Sequence, residues 1–268
     1  MMANQMTIHD LGKPLASGRT AEVYDWKPGW VLKLFFAWSE PGIADYERRI
    51  TAAICATGLP FPMVGDIICI NGRVGLLYEK CEGQSMDDDL HKHFFHGTKH
   101  ARRMAELHTE MHAKIMQADI ASTRHRLEHK IRDAKPLPEN IRTAALKALE
   151  TMPDGDRLCH GDFHPGNILL SRSKPTTIDW IDASIGSPLA DVARTSIMLL
   201  GSAATESTWF LRYGIRILHA IYLRRYFQLC PDGKDEYRRW LPIVAAGRLN
   251  EGIVEQESWL LAQTGKLL

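Results

Sequence analysis

Up to about residue 80, apolar positions come in short runs or alternate with polar ones. TAEVYDW (20–26), GWVLKLFF (29–36), VGDIICI (64–70) and RVGLLYEK (73–80) are rich in β-branched and aromatic residues, and Pro-Gly at 28–29 and Asn-Gly at 71–72 stand between them as turn signals. Residues 42 to 57 carry apolar side chains at helical intervals and stop at Gly58, before Leu-Pro. The pattern predicts an antiparallel sheet carrying one helix. From about residue 84 the period lengthens. Stretches 98–116, 139–152, 190–200, 209–227 and 238–262 repeat apolar residues every three or four positions, which predicts a mainly helical remainder. YEKCEGQSMDDDL (78–90), polar and glycine-containing, marks the changeover. The expected organisation is an N-terminal lobe over 1–80 and a helical lobe over 81–268, with a hinge near 79–83.

Two strings break the helical half. RLCHGDFHPGNILL (157–170) and PTTIDWID (175–182) are each a short β-like piece joined to a polar loop, and they bring Asp162, Asn167 and Asp179 close together in sequence. Transfer of a phosphoryl group from MgATP needs a carboxylate to orient or deprotonate the attacking hydroxyl and oxygen ligands to hold Mg²⁺ on the phosphates. A turn alone would account for His-Pro-Gly-Asn, but a turn does not ask for the second acid. Lys33 poses a separate problem, because it lies inside the apolar strand WVLKLFF, where an unpaired ammonium is costly to desolvate. Glu47 falls four residues after Ile43 and three before Ile50, on the inward face of the expected helix. A snorkelling edge-strand lysine and a solvated glutamate are the alternatives for this pair.

HGDFHPGN and TIDW resemble the strings H-G-D-x-x-x-x-N and I-D-W/F of the aminoglycoside phosphotransferase and choline kinase-like family. That resemblance implies a two-lobed, protein kinase-like α+β fold, with a small antiparallel sheet and one helix in the first lobe and a larger helical second lobe. It implies Asp162 as catalytic base, Asn167 and Asp179 as Mg²⁺ ligands, and His160 and Asp191 as supports of the catalytic loop. Lys33 with Glu47 would hold the α- and β-phosphates of ATP. Backbone donors of Ser17, Gly18, Arg19 and Thr20 would cap the phosphates, although a single glycine there is a weak nucleotide signal. Glu79 and Cys81 would offer main-chain atoms to adenine, in a stretch that reads equally well as a plain linker.

Protein kinases switched by activation-loop phosphorylation carry His-Arg-Asp and a long segment ending in Ala-Pro-Glu. Here Gly161 replaces the arginine, and only eleven residues separate Asp179 from Asp191. The expected acceptor is therefore a small-molecule alcohol. The acids Asp182, Glu251, Glu255 and Glu257 and the aromatics Trp180 and Trp259 are candidate acceptor contacts. Glu251 and Glu255, four apart, would share a helical face able to pair with amines, unless they are simply solvated. An aminoglycoside or related amino sugar is the first expectation. Choline, homoserine, thio sugars and macrolides are the other acceptors that the resemblance implies, and a catalytically silent nucleotide-binding scaffold is the rival class.

Composition adds exclusions. A formal net charge of +1 over 268 residues gives no global field toward nucleic acid or an anionic membrane, and no obligate protein partner is expected. Five cysteines without a C-x-x-C pair fit a reducing cytoplasm. The opening MMANQMTIHD lacks the basic and apolar regions of a leader, and no apolar run is long enough to span a bilayer. His91, His93, His96, His100, His108 and His112 invite a metal reading. With no H-E-x-x-H and no cysteine at ligand spacing, a partly exposed amphipathic helix accounts for them, and Asp87 to Asp89 read as helix N-terminal charges. Arg212, Arg216, Arg224 and Arg225 read as a solvated helix face.

Overall fold

The computed structural model describes residues 7–171 and 174–267; residues 1–6, the start of the segment read as lacking a leader, lie outside the described residues, as do 172, 173 and 268. In chain order the elements are β1 (Ala16–Ser17), β2 (Ala21–Lys27), β3 (Trp30–Phe35), α1 (Ile43–Cys55), β4 (Val64–Ile70), β5 (Arg73–Glu79), β6 (Gln84–Ser85), α2 (Met86–Lys92), α3 (Gly97–His112), α4 (Thr123–Asp133) and α5 (Glu139–Glu150). Then follow β7 (Arg157–Cys159), β8 (Ile168–Leu170), β9 (Thr176–Thr177), β10 (Ser184–Gly186), α6 (Pro188–Thr205), α7 (Trp209–Leu229), α8 (Lys234–Arg248) and α9 (Val254–Thr264). The chain divides into two compact units, Met1–Gln84 with Ile168–Ile181, and Ser85–Asn167 with Asp182–Leu268. No helix among the described residues is long and apolar enough to cross a membrane.

The first unit is built on an antiparallel sheet of order β1-β2-β3-β5-β4. Asn71 and Gly72 both have positive φ, 49° and 76°, which is the backbone of a two-residue hairpin turn matched to strand twist. Alternation along β3 sends Leu32 and Leu34 to one face, where they pack with Tyr24 and Ile70. The opposite face, with Ala21, Phe35 and Leu76, packs against Ala44 of α1. Lys33 falls on that helix-side face because it is one residue out of step with the two leucines. The α1 helix turns Ala44, Glu47, Ile50 and Ile54 inward at three- and four-residue spacing. The antiparallel β8–β9 pair belongs to this same unit.

In the second unit α3 packs along α7, α6 along α7 and α8, and α4 and α9 both against α8. Tyr222, Tyr226, Trp240 and Phe163 are its largest fully buried side chains. β7 pairs with β10 in antiparallel register, Cys159 opposite Ser184, and so fixes the strand from which the His160–Asn167 loop departs.

Two elements differ from the hydrophobic pattern. The run 238–262 is not one helix: α8 ends at Arg248, a 3-10 turn covers Leu249–Glu251, and Gly252 takes φ 65° before α9 begins. A left-handed glycine after a helix end satisfies the last carbonyls and reverses the chain direction, so the apolar period survives while the axis changes. Glu251 and Glu255 therefore do not share a helical face. The α4 helix has no counterpart in the expected elements, because only Leu127 and Ile131 of its eleven residues are buried.

Candidate active site

In the first unit Lys33 is held between two acids. Its Nζ lies 2.8 Å and 3.0 Å from the two Glu47 oxygens and 2.8 Å from Asp179 Oδ1. Burial works against the ammonium, but the charges of Asp179 and Glu47 outweigh it and hold the Lys33 pKa above the ordinary lysine value. Glu47 is 2% exposed and also accepts the Tyr78 hydroxyl at 2.6 Å. Burial first, then the Glu47 charge, push the Tyr78 phenol up, so it stays protonated as a donor. Asp179 adopts φ 61°, a left-handed conformation tolerated by aspartate but uncommon outside glycine, and its side chain is 41% exposed. Just past it, the Trp180 indole donates to Thr177 O at 3.0 Å and closes the turn.

In the second unit, the loop after β7 is shaped from behind by Asp191. This residue lies in the first turn of α6, capped by Ser187. Its Oδ2 accepts the His160 N–H at 2.6 Å and its Oδ1 the Gly161 N–H at 2.9 Å. The buried His160 ring accepts the Asp162 N–H on Nδ1 at 3.2 Å. Gly161 has φ 76°, and a Cβ there would fall 2.3 Å from Asp182 O, so the position admits glycine alone. Asn167 Nδ2 donates to Asp162 O at 2.9 Å and to Asp162 Oδ2 at 3.2 Å, which leaves its amide oxygen pointing away from that carboxylate. Asp162 is 31% exposed, with Arg194 Nη2 3.6 Å from Oδ1. Burial raises the Asp162 pKa, but the His164 contact and the Arg194 charge prevail and hold the carboxyl well below its usual range.

The sequence matches the phosphotransferase enzyme family over residues 12–240. The chain belongs to that family. No curated protein matches the sequence. Among solved structures it is similar to an apo thermostable mutant of aminoglycoside phosphotransferase APH(4)-Ia, at 17% identity and TM-score 0.66, covering 95% of this chain and 92% of that one. A thermostable APH(4)-Ia variant in ternary complex with AMP-PNP and hygromycin B aligns at TM-score 0.65 and 16% identity, covering 95% and 92%. Amicoumacin kinase hAmiN in complex with AMP-PNP, Ca²⁺ and Ami aligns at TM-score 0.62 and 15% identity, covering 97% and 88%. A choline/ethanolamine kinase family protein from Mesorhizobium loti aligns at 0.63 and 14%, covering 96% and 88%. At these identities the likeness is one of fold, which is kinase-like and mixed α+β.

Not every residue read from the family strings lies where the resemblance would use it. In the turn that joins β1 to β2, the Gly18 N–H donates to Ala21 O at 2.9 Å, so that donor closes the hairpin instead of facing a ligand. The Glu79 N–H is likewise taken, by Met63 O at 2.8 Å. Ser17 forms the end of β1, Arg19 and Thr20 form the turn tip, and Cys81 is half-buried in the loop after β5. Trp180 is 2% exposed and packs its ring 6.3 Å from Phe61, an aromatic core position and not a surface for an acceptor.

Of the acids expected to face an amine, Glu251 and Asp182 already have cationic neighbours. Glu251 is buried beneath Arg194, Arg248 and Lys130, at 2.7, 2.9 and 3.6 Å. Burial opposes its ionisation, yet the three cations bring its pKa down to about 2. Asp182 Oδ1 lies 3.4 Å from Arg126 and 3.5 Å from Lys130. Glu255 is exposed on α9. Sequence reasoning missed Arg126, Lys130 and Arg194. Arg126 and Lys130 are four apart on a helix with too few apolar residues to register, and Arg194 reads as one polar residue in an apolar run.

The histidines also depart from expectation. His108 and His112 are buried and both reach Asp191 Oδ2, at 3.0 and 3.4 Å, while their Nδ1 atoms pair with the hydroxyls of Tyr222 and Tyr226. Asp89, read as a terminal helix charge, is buried and accepts from His96 at 2.7 Å and His100 at 2.6 Å. A helix face that looks half-polar in sequence is thus lined by imidazoles paired with buried acids.

Proposed function

We propose that this chain transfers the terminal phosphoryl group of a magnesium nucleotide to the hydroxyl of a small molecule. The observation that carries the reading is the Lys33 ammonium on the helix-side face of the sheet, 2.8 Å from both Glu47 and Asp179, in a chain whose family is shown. An ammonium so placed is fit to orient the α- and β-phosphates. Asp162, kept ionised, accepts the hydrogen bond of the attacking hydroxyl and takes its proton as the new P–O bond forms and the bond to the β-phosphate breaks. Arg194 beside it steadies the carboxylate, and Asp191 keeps the loop backbone in place.

The donor set suits a hard divalent cation: the amide oxygen of Asn167 is turned away from Asp162, and Asp179 is partly exposed. Asn167 and Asp179 would hold Mg²⁺, which would neutralise charge on the transferring group. The small-molecule acceptor follows from the short interval between Asp179 and Asp191. An amino sugar is favoured by the relative that binds hygromycin B, whereas the ion pairs around Glu251 and Asp182 weigh against an amine on that side. Action on other metabolites is the alternative within the class.

A coupled assay of ADP release from MgATP, run against a broad panel of alcohols, tests the proposal. Acceptor-stimulated, Mg²⁺-dependent turnover is expected. Nucleotide binding with no stimulation by any acceptor would favour a silent scaffold. The account also implies a reducing cytoplasm as the working compartment, in keeping with five free cysteines.

A further inference from the structure

Within the second unit a cavity of about 40 Å³ opens beside the catalytic loop. Thr123, Arg126 and Lys130 of α4 line one side, and Gly161, Asp182 and Arg194 the other. At roughly 10–15 Å³ per water, this is room for about three water-sized groups, enough for the terminal oxygens of a small oxyanion. Gly161 is the residue immediately before Asp162, so whatever fills the cavity lies one residue from the proposed base.

The cavity wall carries more cations than acids. Arg126, Lys130 and Arg194 line it, against the carboxylates of Asp182 and Asp191. Asp191 is already occupied by four donors. Glu251 is covered by its short pair with Arg194 and its pair with Arg248, at 2.7 and 2.9 Å. Lys130 is different: its carboxylate neighbours lie at 3.5 and 3.6 Å, well beyond the 2.7–2.9 Å of a charge-assisted hydrogen bond. Burial, followed by the neighbouring Arg194 charge, lowers its pKa, which is the response of an ammonium short of negative partners. An incoming amine would meet Glu251 already paired at short range and Asp182 flanked by two cations at 3.4 and 3.5 Å. An incoming anion would meet Lys130 loosely held.

We propose that this cavity receives an anionic group, a carboxylate or a phosphate ester, of the alcohol that is phosphorylated, with Lys130 as its main contact and Arg126 beside it. The inference rests on the phosphotransferase reading and names the acceptor class for the same site. Anchoring the anion one residue from Asp162 would direct a hydroxyl a few bonds away toward that carboxylate.

The test uses the full chain with saturating MgATP and matched acceptors: hydroxy acids against their methyl esters, sugar phosphates against their parent sugars, and the polycations kanamycin and hygromycin B. An anionic acceptor should exceed its neutral counterpart by about tenfold or more in kcat/KM, and which series responds separates a carboxylate from a phosphate ester. Lys130→Met should raise that acceptor's KM about tenfold to a hundredfold, with much smaller changes in kcat and in the KM for ATP, and Lys130→Arg should recover part of it. Calorimetric titration of the AMP-PNP-bound protein with the same compounds gives binding without turnover, and melting temperatures check that the variants fold. Preference for neutral or cationic acceptors, an unchanged KM in Lys130→Met, or no anion binding to the nucleotide-bound protein overturns the inference. Failure to bind magnesium nucleotide at all removes the phosphotransferase reading itself, a separate outcome.

Discussion

Asp191 Oδ2 accepts the His160 backbone N–H at 2.6 Å and thereby ties the first turn of α6 to the loop that carries Asp162. The same oxygen serves His108 and His112, so one buried carboxylate satisfies two backbone donors and two imidazoles. Burial opposes its ionisation, and the hydrogen bonds from His108 and His112 overcome this and hold its pKa well below the usual range. Asp191→Asn keeps the shape and removes the charge. It should cost roughly 3–5 kcal/mol in urea unfolding and lower turnover through a displaced loop. A change under 1 kcal/mol would contradict the brace.

Acid should unfold the protein partly through His108. Burial, with His112 adding, pushes its pKa down to about 3, against 6.5 for an ordinary histidine. Its contribution is therefore complete above pH 6.5 and is lost as pH falls toward 3, because the unfolded chain binds a proton the folded one refuses. His219, pushed down to about 4 by burial, acts in the same direction. Replacing His108 with Gln should flatten the stability curve between pH 6.5 and 4 by up to about 1.4 kcal/mol per pH unit. An equally steep curve in the variant would rule His108 out.

The Lys33–Glu47 pair is the next test. Lys33→Met strands Glu47 in a site that is 2% exposed and should cost roughly 3–5 kcal/mol, whereas Asp179, 41% exposed, can turn to water. Adding Glu47→Gln should return part of that stability but not nucleotide affinity, measured by AMP-PNP titration. Additive losses in the double mutant would show that the two side chains do not couple.

Much of the first unit was legible because its strands obey period-2 alternation and its hairpin turn is Asn-Gly, signals that depend on few residues. The central loop was readable as a loop for the same reason, since Asp162 and Asn167 are local to one string. What stayed hidden depends on long-range contact. Glu251 acquires its partners from α4, α6 and α8, and no spacing reveals that it is buried beneath three cations. Trp180 was read as a candidate acceptor contact, yet it is buried and packs against Phe61, over a hundred residues earlier. Gly252 ended a helix whose apolar period runs on undisturbed.

Arg194 should set the acid limb of activity. It stands 3.6 Å from Asp162 and helps to depress that carboxyl, so Arg194→Met should move the acid limb of kcat/KM to higher pH, while Arg194→Lys leaves it nearer the parent. A limb that stays in place in Arg194→Met would separate the arginine from the base.

The most direct measurement is phosphoryl transfer by Asp162→Asn, an isosteric change that removes the base and spares the loop. Turnover of the acceptor should fall by about 10² to 10⁴ while AMP-PNP affinity and melting temperature stay close to the parent. Turnover within a few-fold of the parent would contradict the assignment of Asp162 and, with it, the central account.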